Sequence, residues 1–274
     1  MADVAVRRVS IVFTDVDGTL VDGEHHAIPE SASTIQRVTS AGIPFCMVSA
    51  RSPEGLYPIQ KTLSFTGPLV CFSGAYVLDE DDHELLSETI PLDEAVAIKD
   101  YLSHDLPAIT VGTYGFHTWL VDDDQDPRIK REEYFVCAKS QTGHDLRSAF
   151  DERGIHKFLL MGEPPAIAAA EKTVHERFPH LNVVRSNDTL CEVMNGAASK
   201  SRGVRIICEH YGIDRSGAVA FGDGFNDLDM LEAVEESYAM LNGEEDVKRA
   251  ARHVTTRTNV DNGVAHTLEE LLGL

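Results

Sequence analysis

The sequence predicts an α/β protein, a parallel-sheet core interrupted by an inserted α+β domain. Three observations carry this. Short apolar runs rich in β-branched residues alternate with amphipathic stretches at the start of the chain, the rhythm of βαβ units. The alternation then gives way to hairpin-like pairs of strands separated by isolated helical stretches. From Lys200 the βα rhythm returns. The expected division is core at 1–83, inserted domain at 84–190 and core again at 191–274.

In the first core segment, "RRVSIVFTD", "IPFCMVSAR" and "GPLVCF" read as strands buried on both faces. Between them, "PESASTIQRVTSAG" has Pro29 near its start and Gly42 at its end, and "PEGLYPIQKTL" reads as a second helix. "AYVLDEDDHELLSETI" predicts a hairpin whose acidic residues, Asp79 to Asp82, form a solvated turn. The inserted domain opens with the helix "LDEAVAIKDYLSH" and two strands flanking Gly115. After a charged segment, "DQDPRIKREEYF", come "HKFLLMG", the helix "PPAIAAAEKTVHERF" and the strands "LNVVRS" and "TLCEVM". In the last segment, "KSRGVRIICEHYG" aligns Val204, Ile207, Cys208 and Tyr211 on one helical face and stops at Gly212. "GAVAFGD", "NDLDMLEAV", "SYAM", "HVTT" and "VAHTLEELL" complete the layer.

Charge narrows the function. With 24 Lys and Arg against 45 Asp and Glu, the formal charge is −21. Such a field repels phosphate backbones and anionic headgroups, so neither nucleic acid nor a membrane is an expected partner. A small anionic substrate needs a local positive site or a metal. The 5 cysteines include no CxxC pair, which favours reduced thiols in the cytoplasm. The first residues lack a signal-peptide layout, and no apolar stretch reaches the length of a membrane span. A homodimer is compatible with all of this, and the oligomeric state stays open.

Four polar clusters stand where core strands end or a core helix begins: "DVDGT" (15–19), "SAR" (49–51), Lys200 and "GDGFND" (222–227). In an open parallel sheet, ligands sit at the carboxyl ends of the strands. If those strands are neighbours, the clusters converge. An EF-hand is excluded, because the sixth position counted from Asp15 is Leu20 rather than glycine. A plain Asx-turn explains Asp17-Gly18 alone, but not a second acidic cluster after a second buried strand.

Asp15, Asp17 and Asp223 supply hard oxygen ligands suited to Mg²⁺, which binds through a few carboxylates plus waters and phosphate. A metal would offset the repulsion between two close carboxylates and admit an anionic ester. Asp15 then suits a nucleophile, and Asp17, two positions on, an acid and base. The Ser49 hydroxyl and the N–H groups around Gly18 suit phosphoryl oxygens. Lys200 suits the charge of the transferring group. Asn226 and Asp227 could orient Ser49 or Lys200. Arg51 either touches substrate or pairs with an acid. His25 and His26, adjacent in sequence, read as exposed loop residues rather than metal ligands.

This set resembles the haloacid dehalogenase-like phosphohydrolase superfamily. The order of motifs and the insertion between the second and third resemble its Cof-type branch, as do "SARSPEGLYPI", "GPLVCFSGA" and "NVDNGVAHTLEELL". The resemblance implies a Rossmann-like core, helices on both faces of its sheet, and an inserted α+β cap. It further implies a Mg²⁺-dependent phosphomonoesterase with Asp15 as nucleophile and Asp17 as acid/base. The metal would rest on Asp15, the Asp17 backbone carbonyl and Asp223, supported by Asp227. Ser73 stands where the branch commonly has Asn, Ala197 and Ser201 where it often has glycine, and "MLNG" replaces "MGNA". The substrate expected is a small phosphorylated metabolite. A phosphomutase or phosphotransferase would use the same motifs, whereas a sensor that binds without turnover would be favoured by a missing catalytic carboxylate, and Asp15, Asp17 and Asp223 are all present.

Overall fold

The computed structural model describes residues 9–274. Residues 1–8, where the first predicted core segment begins, lie outside the described residues. Two compact units result: one runs through Ala50, then Leu56–Leu86 and Ser199–Leu274, and the other is Arg51–Gly55 with Ser87–Ala198.

The first unit begins β1 (Ile11–Thr14), α1 (Ala32–Ser40), β2 (Phe45–Val48), α2 (Pro53–Leu63) and β3 (Leu69–Cys71). The hairpin follows as β4 (Tyr76–Leu78) and β5 (Glu84–Ser87). Its acidic turn is built rather than merely solvated: Asp79 Oδ1 accepts the backbone N–H groups of Asp81 and His83 at 2.9 and 2.8 Å.

The second unit holds α3 (Leu92–Asp105), β6 (Thr110–Gly115), β7 (Thr118–Val121), α4 (Pro127–Val136) and α5 (Leu146–Ala149). It continues with β8 (Lys157–Met161), α6 (Pro164–Arg177), β9 (Leu181–Asn187) and β10 (Leu190–Asn195). The five strands form one sheet in the order β7-β6-β8-β10-β9, antiparallel throughout. Because β10 pairs with β8 and β9, the second boundary falls after it and not at 191. One sheet face packs Val111, Leu120, Phe158, Leu160, Cys191 and Val193 against Ile98, Leu102, Ile167 and Val174. Trp119 stacks on Tyr114, ring centroids 5.0 Å apart.

The charged segment "DQDPRIKREEYF" is a helix, α4. Its start signals were present: Asp126 accepts the Arg128 N–H at 2.9 Å, with Pro127 in the first turn. What hid it is its buried face, which is only Ile129 and Glu133. Glu133 is held ionised by Lys130 at 3.2 Å, Lys139 at 3.0 Å and Ser140 at 3.0 Å.

His156 is fully buried, accepting the Phe116 N–H on Nδ1 and meeting Ser87 Oγ through Nε2, each at 3.0 Å. Burial first, then Arg153 and His117, push its pKa down to about 3. The unfolded chain therefore binds the proton more tightly, and stability rises with pH. The contribution is complete above about pH 6.5 and is lost as pH falls toward 3, a span of about 5 kcal/mol. Denaturant titrations of the wild type from pH 4 to 7 are expected to show this slope, and His156→Gln to flatten it.

The chain closes the first unit with α7 (Lys200–Tyr211), β11 (Ala218–Gly222), α8 (Leu228–Ala233), β12 (Glu236–Ala239), α9 (Glu245–Ala250), β13 (His253–Val254) and α10 (Gly263–Leu272). Its strands form one sheet in the order β13-β12-β11-β1-β2-β3-β4-β5. Pairing is parallel from β13 through β3, and β4 turns antiparallel. Ile11, Phe13, Cys46 and Val70 pack with Val204, Ile207, Met230 and Val247 of α7, α8 and α9. Val12, Met47 and Phe221, which alternate to the other face, are equally buried. There α1 packs on β2 and on α10. The architecture is α/β with helices on both faces, as the sequence predicts.

Candidate active site

The strand order meets the condition for convergence. β1 lies between β11 and β2, with Thr14 level with Phe221 and Met47. The Asp15 N–H donates to the Phe221 carbonyl at 2.8 Å. Asp15, Asp223 and Ser49 thus follow the carboxyl ends of three neighbouring strands, where an open parallel sheet offers its crevice.

Carboxylate oxygens of Asp15, Asp223 and Asp227 lie within 4.8 Å of one another. Into this group reaches Lys200, 1% exposed, its Nζ donating to Asp15 Oδ1 at 2.5 Å and Asp227 Oδ1 at 2.6 Å. The other oxygen of Asp227 accepts the backbone N–H groups of Asp223 and Gly224, both at 2.9 Å. Asp227 is therefore committed on both oxygens, bracing Lys200 on one side and the "GDG" turn on the other.

Local packing fixes Lys200. Ser199 caps α7, its Oγ accepting the Arg202 N–H at 3.2 Å. The Ser201 N–H donates to Asp229 Oδ2 at 2.9 Å. A Cβ on Gly203 would sit 2.3 Å from Val70 Cγ1, so only glycine lets α7 lie this close to β3. Gly18 is equally constrained. Its φ is +82°, and a Cβ there would sit 2.2 Å from Asp223 Oδ2.

Three carboxylates around one ammonium leave an excess of buried negative charge. Burial, then Asp227, raises the Asp15 pKa well above the usual carboxylate range, although Lys200 pulls the other way. Asp223 is pushed up to about 6, by burial and then, against the Thr19 hydrogen bond, by Asp227. Burial opposes the charge on Lys200, but Asp15 and Asp227 outweigh it and hold its pKa above that of an ordinary lysine. Hard oxygens, excess negative charge and partial burial are the donor chemistry of a Mg²⁺ site.

The remaining predicted residues fall differently. Asp17 stands outside the buried group, half exposed, with His25 Nδ1 2.6 Å from its Oδ1. Ser49 is buried at the end of β2, its N–H donating to the Val70 carbonyl and its carbonyl accepting the Ser73 N–H. Asn226 is exposed on the turn ahead of α8. Arg51 is buried, donating to the Gly55 carbonyl of its own turn at 3.4 Å. Asp227, not Asn226, orients Lys200.

Residues 12–268 match the haloacid dehalogenase-like hydrolase family. The chain belongs to that family. It is 36% identical over 262 residues to a Haemophilus influenzae protein under a provisional phosphatase name, covering 94% of this chain and 97% of that one. It is 28% identical to the 5-amino-6-(5-phospho-D-ribitylamino)uracil phosphatase YitU of Bacillus subtilis, over 96% of this chain and 98% of the relative. In fold it matches a haloacid dehalogenase-like hydrolase from Bacteroides thetaiotaomicron with a TM-score of 0.89 at 23% identity, over 96% and 100% of the two chains.

As a hydrolase of this family, the chain holds three residues near the site to which sequence reasoning gave no role. Thr19 Oγ1 donates to Asp223 Oδ1 at 2.8 Å, tying the first motif to the last. Asn242 Nδ2 donates to the Gly18 carbonyl at 2.8 Å, and its Oδ1 accepts the Asn259 N–H at 2.9 Å. The third is His25, which is half-buried against Asp17 rather than a fully exposed loop residue. Thr19 lies inside the motif and was findable, whereas the other two depend on loop closure. Ser73 also explains a departure noted above: its φ of 54° and ψ of 33° are left-handed, a region where Asn is favoured over Ser. Ser73→Asn is expected to raise stability by about 0.5 kcal/mol in denaturant unfolding.

Proposed function

We propose that this hydrolase is a Mg²⁺-dependent phosphatase that cleaves a small phosphorylated metabolite through an aspartyl-phosphate on Asp15. The observation that carries the reading is the buried Lys200 joined to Asp15 and Asp227 beside Asp223. Asp15 and Asp223, with the Asp17 carbonyl, would hold Mg²⁺, whose charge lets an anionic ester approach an anionic carboxylate.

The chain's own groups do the rest. Lys200 fixes the Asp15 carboxylate and balances charge on the transferring phosphoryl group. The Asp15 oxygen bonds to phosphorus as the ester oxygen leaves, and Asp17 gives that oxygen its proton. Now ionised, Asp17 takes a proton from water as the water oxygen attacks phosphorus, releasing phosphate and restoring Asp15. The Ser49 hydroxyl and the N–H groups around Gly18 hold the phosphoryl oxygens. Asp17 lies apart from the buried trio, which suits a group that must exchange protons.

Phosphatase names among the relatives support the reaction class, and the name of the Bacillus subtilis relative supports a phosphoribitylamino-substituted uracil as one example within a substrate class of sugar phosphates, nucleotides and phosphorylated cofactors. The charge of −21 supports the absence of nucleic-acid and membrane partners. Among the described residues, no helix is long and apolar enough to cross a membrane.

The test is phosphate release from a panel of phosphorylated metabolites. Turnover of one or a few compounds is expected, falling by at least about 100-fold when a chelator removes the metal and returning with added Mg²⁺. Chelator-resistant turnover overturns the metal assignment. Isomer formation without phosphate release turns the reading into a phosphomutase.

A further inference from the structure

The segment after the first motif is a tight loop pinned at its base by the antiparallel bridge Val21–Ala27. Asp22 organises it: its Oδ1 accepts the N–H groups of Glu24 and His26 at 2.8 and 2.9 Å. Its N–H donates to the His26 carbonyl at 2.9 Å, and its carbonyl accepts the His25 N–H at 3.1 Å. This arrangement holds His25 in the left-handed region, φ 64°, which is uncommon outside glycine although histidine enters it more readily than most side chains. The product of that conformation is the contact between His25 Nδ1 and Asp17 Oδ1 at 2.6 Å.

We propose that His25 is the positioning residue of the acid/base carboxylate, an inference that rests on the phosphatase reading. Its Nδ1–H donates to Asp17 Oδ1, selecting one orientation of the carboxylate and leaving Oδ2 to exchange protons with the leaving oxygen and then with water. The bond suits both halves of the reaction. Whether Oδ2 carries the proton or not, Oδ1 remains an acceptor. Holding one oxygen keeps the other within reach of the reacting atom, and geometry of this kind is what proton transfer depends on most.

Two substitutions separate the side chain from the backbone. His25→Gly keeps the left-handed conformation and deletes the imidazole, and His25→Asn also suits that conformation while placing an amide N–H near the position of Nδ1. The measurement is kcat/KM, which reports steps up to departure of the leaving group, for an alkyl phosphate from the panel and for 4-nitrophenyl phosphate. An alkyl oxygen needs its proton as it leaves, whereas nitrophenolate hardly does. His25→Gly is expected to lower kcat/KM about tenfold for the alkyl ester and less than about twofold for the aryl ester, and His25→Asn to recover most of the loss.

Equal losses on both esters, or no loss on either, would overturn the proposal, since loosening of the loop makes no distinction between leaving groups. A second readout needs no substrate. Nitrogen-15 NMR of the histidines is expected to show His25 protonated on Nδ1, with Asp17→Ala shifting the proton to Nε2. If the wild type turns over neither ester, the phosphatase reading fails on that result. The NMR result still decides the hydrogen bond, and an unprotonated Nδ1 overturns it.

Discussion

Asp15→Asn is expected to abolish turnover while making the metal-free protein more stable. Activity should fall by more than about 10⁴-fold, because an amide neither attacks phosphorus nor carries the phosphoryl group. Stability should move the other way. Asp15 is buried with Asp227 against the Lys200 ammonium, beside the half-buried Asp223, and its pKa is raised in the folded state. A carboxyl raised on folding contributes stability below its unfolded pKa, and that contribution is lost as pH rises through the folded one. Above its unfolded pKa the carboxyl therefore weakens the fold relative to a neutral amide. The amide introduced by Asp15→Asn still accepts the Lys200 hydrogen bond without adding charge, a gain of about 1–2 kcal/mol in chelator. Mg²⁺ should raise the Tm of the wild type and leave the variant almost unmoved. Thermal unfolding of both proteins with Mg²⁺ and with chelator gives the four values needed. A variant less stable than the wild type in chelator would mean that the Asp15–Lys200 attraction outweighs carboxylate repulsion. Retained turnover, in protein checked for deamidation back to Asp, would remove Asp15 from the chemistry.

The core was legible in the sequence because it is repetitive physics. Buried parallel strands such as "IVFT" and "GAVAFG" need apolar residues on both faces, and glycines such as Gly212, with φ 64°, mark where helices stop. Convergence of the site followed from strand ends alone, once β11, β1 and β2 proved adjacent. Elements whose stability comes from polar contacts were not legible. α4 rests on Asp126 and on Glu133 among lysines, and α9 buries only Val247. Neither shows the apolar stripe that identifies a helix. Within the site, residue types announced Asp15, Lys200 and Asp223. The division of labour between Asn226 and Asp227 did not show, because one residue of offset on a tight turn decides which side chain points inward. Loop partners such as His25 and Asn242 are set by backbone torsions that no local pattern encodes.

Lys200→Met tests the same cluster with the opposite sign. The methionine fills nearly the same volume, so packing along α7 is retained. What disappears is the ammonium that joins the two buried carboxylates, leaving Asp15 and Asp227 facing each other without it. Breaking a buried ion pair by removing one partner costs about 3–5 kcal/mol, and the loss of transition-state charge should cut turnover by about 10³-fold. A double-mutant cycle isolates the electrostatic part. If repulsion between unpaired carboxylates causes the instability, adding Asp15→Asn to Lys200→Met should recover at least about 2 kcal/mol. Activity should not return, since the nucleophile is gone as well. Additive effects on denaturant unfolding would show instead that Lys200 stabilises the fold independently of Asp15, and that the triad of Asp15, Lys200 and Asp227 is not one electrostatic unit. Stability that rises in the double variant while turnover stays lost would mark a site in which the charges that perform the reaction are those that weaken the fold.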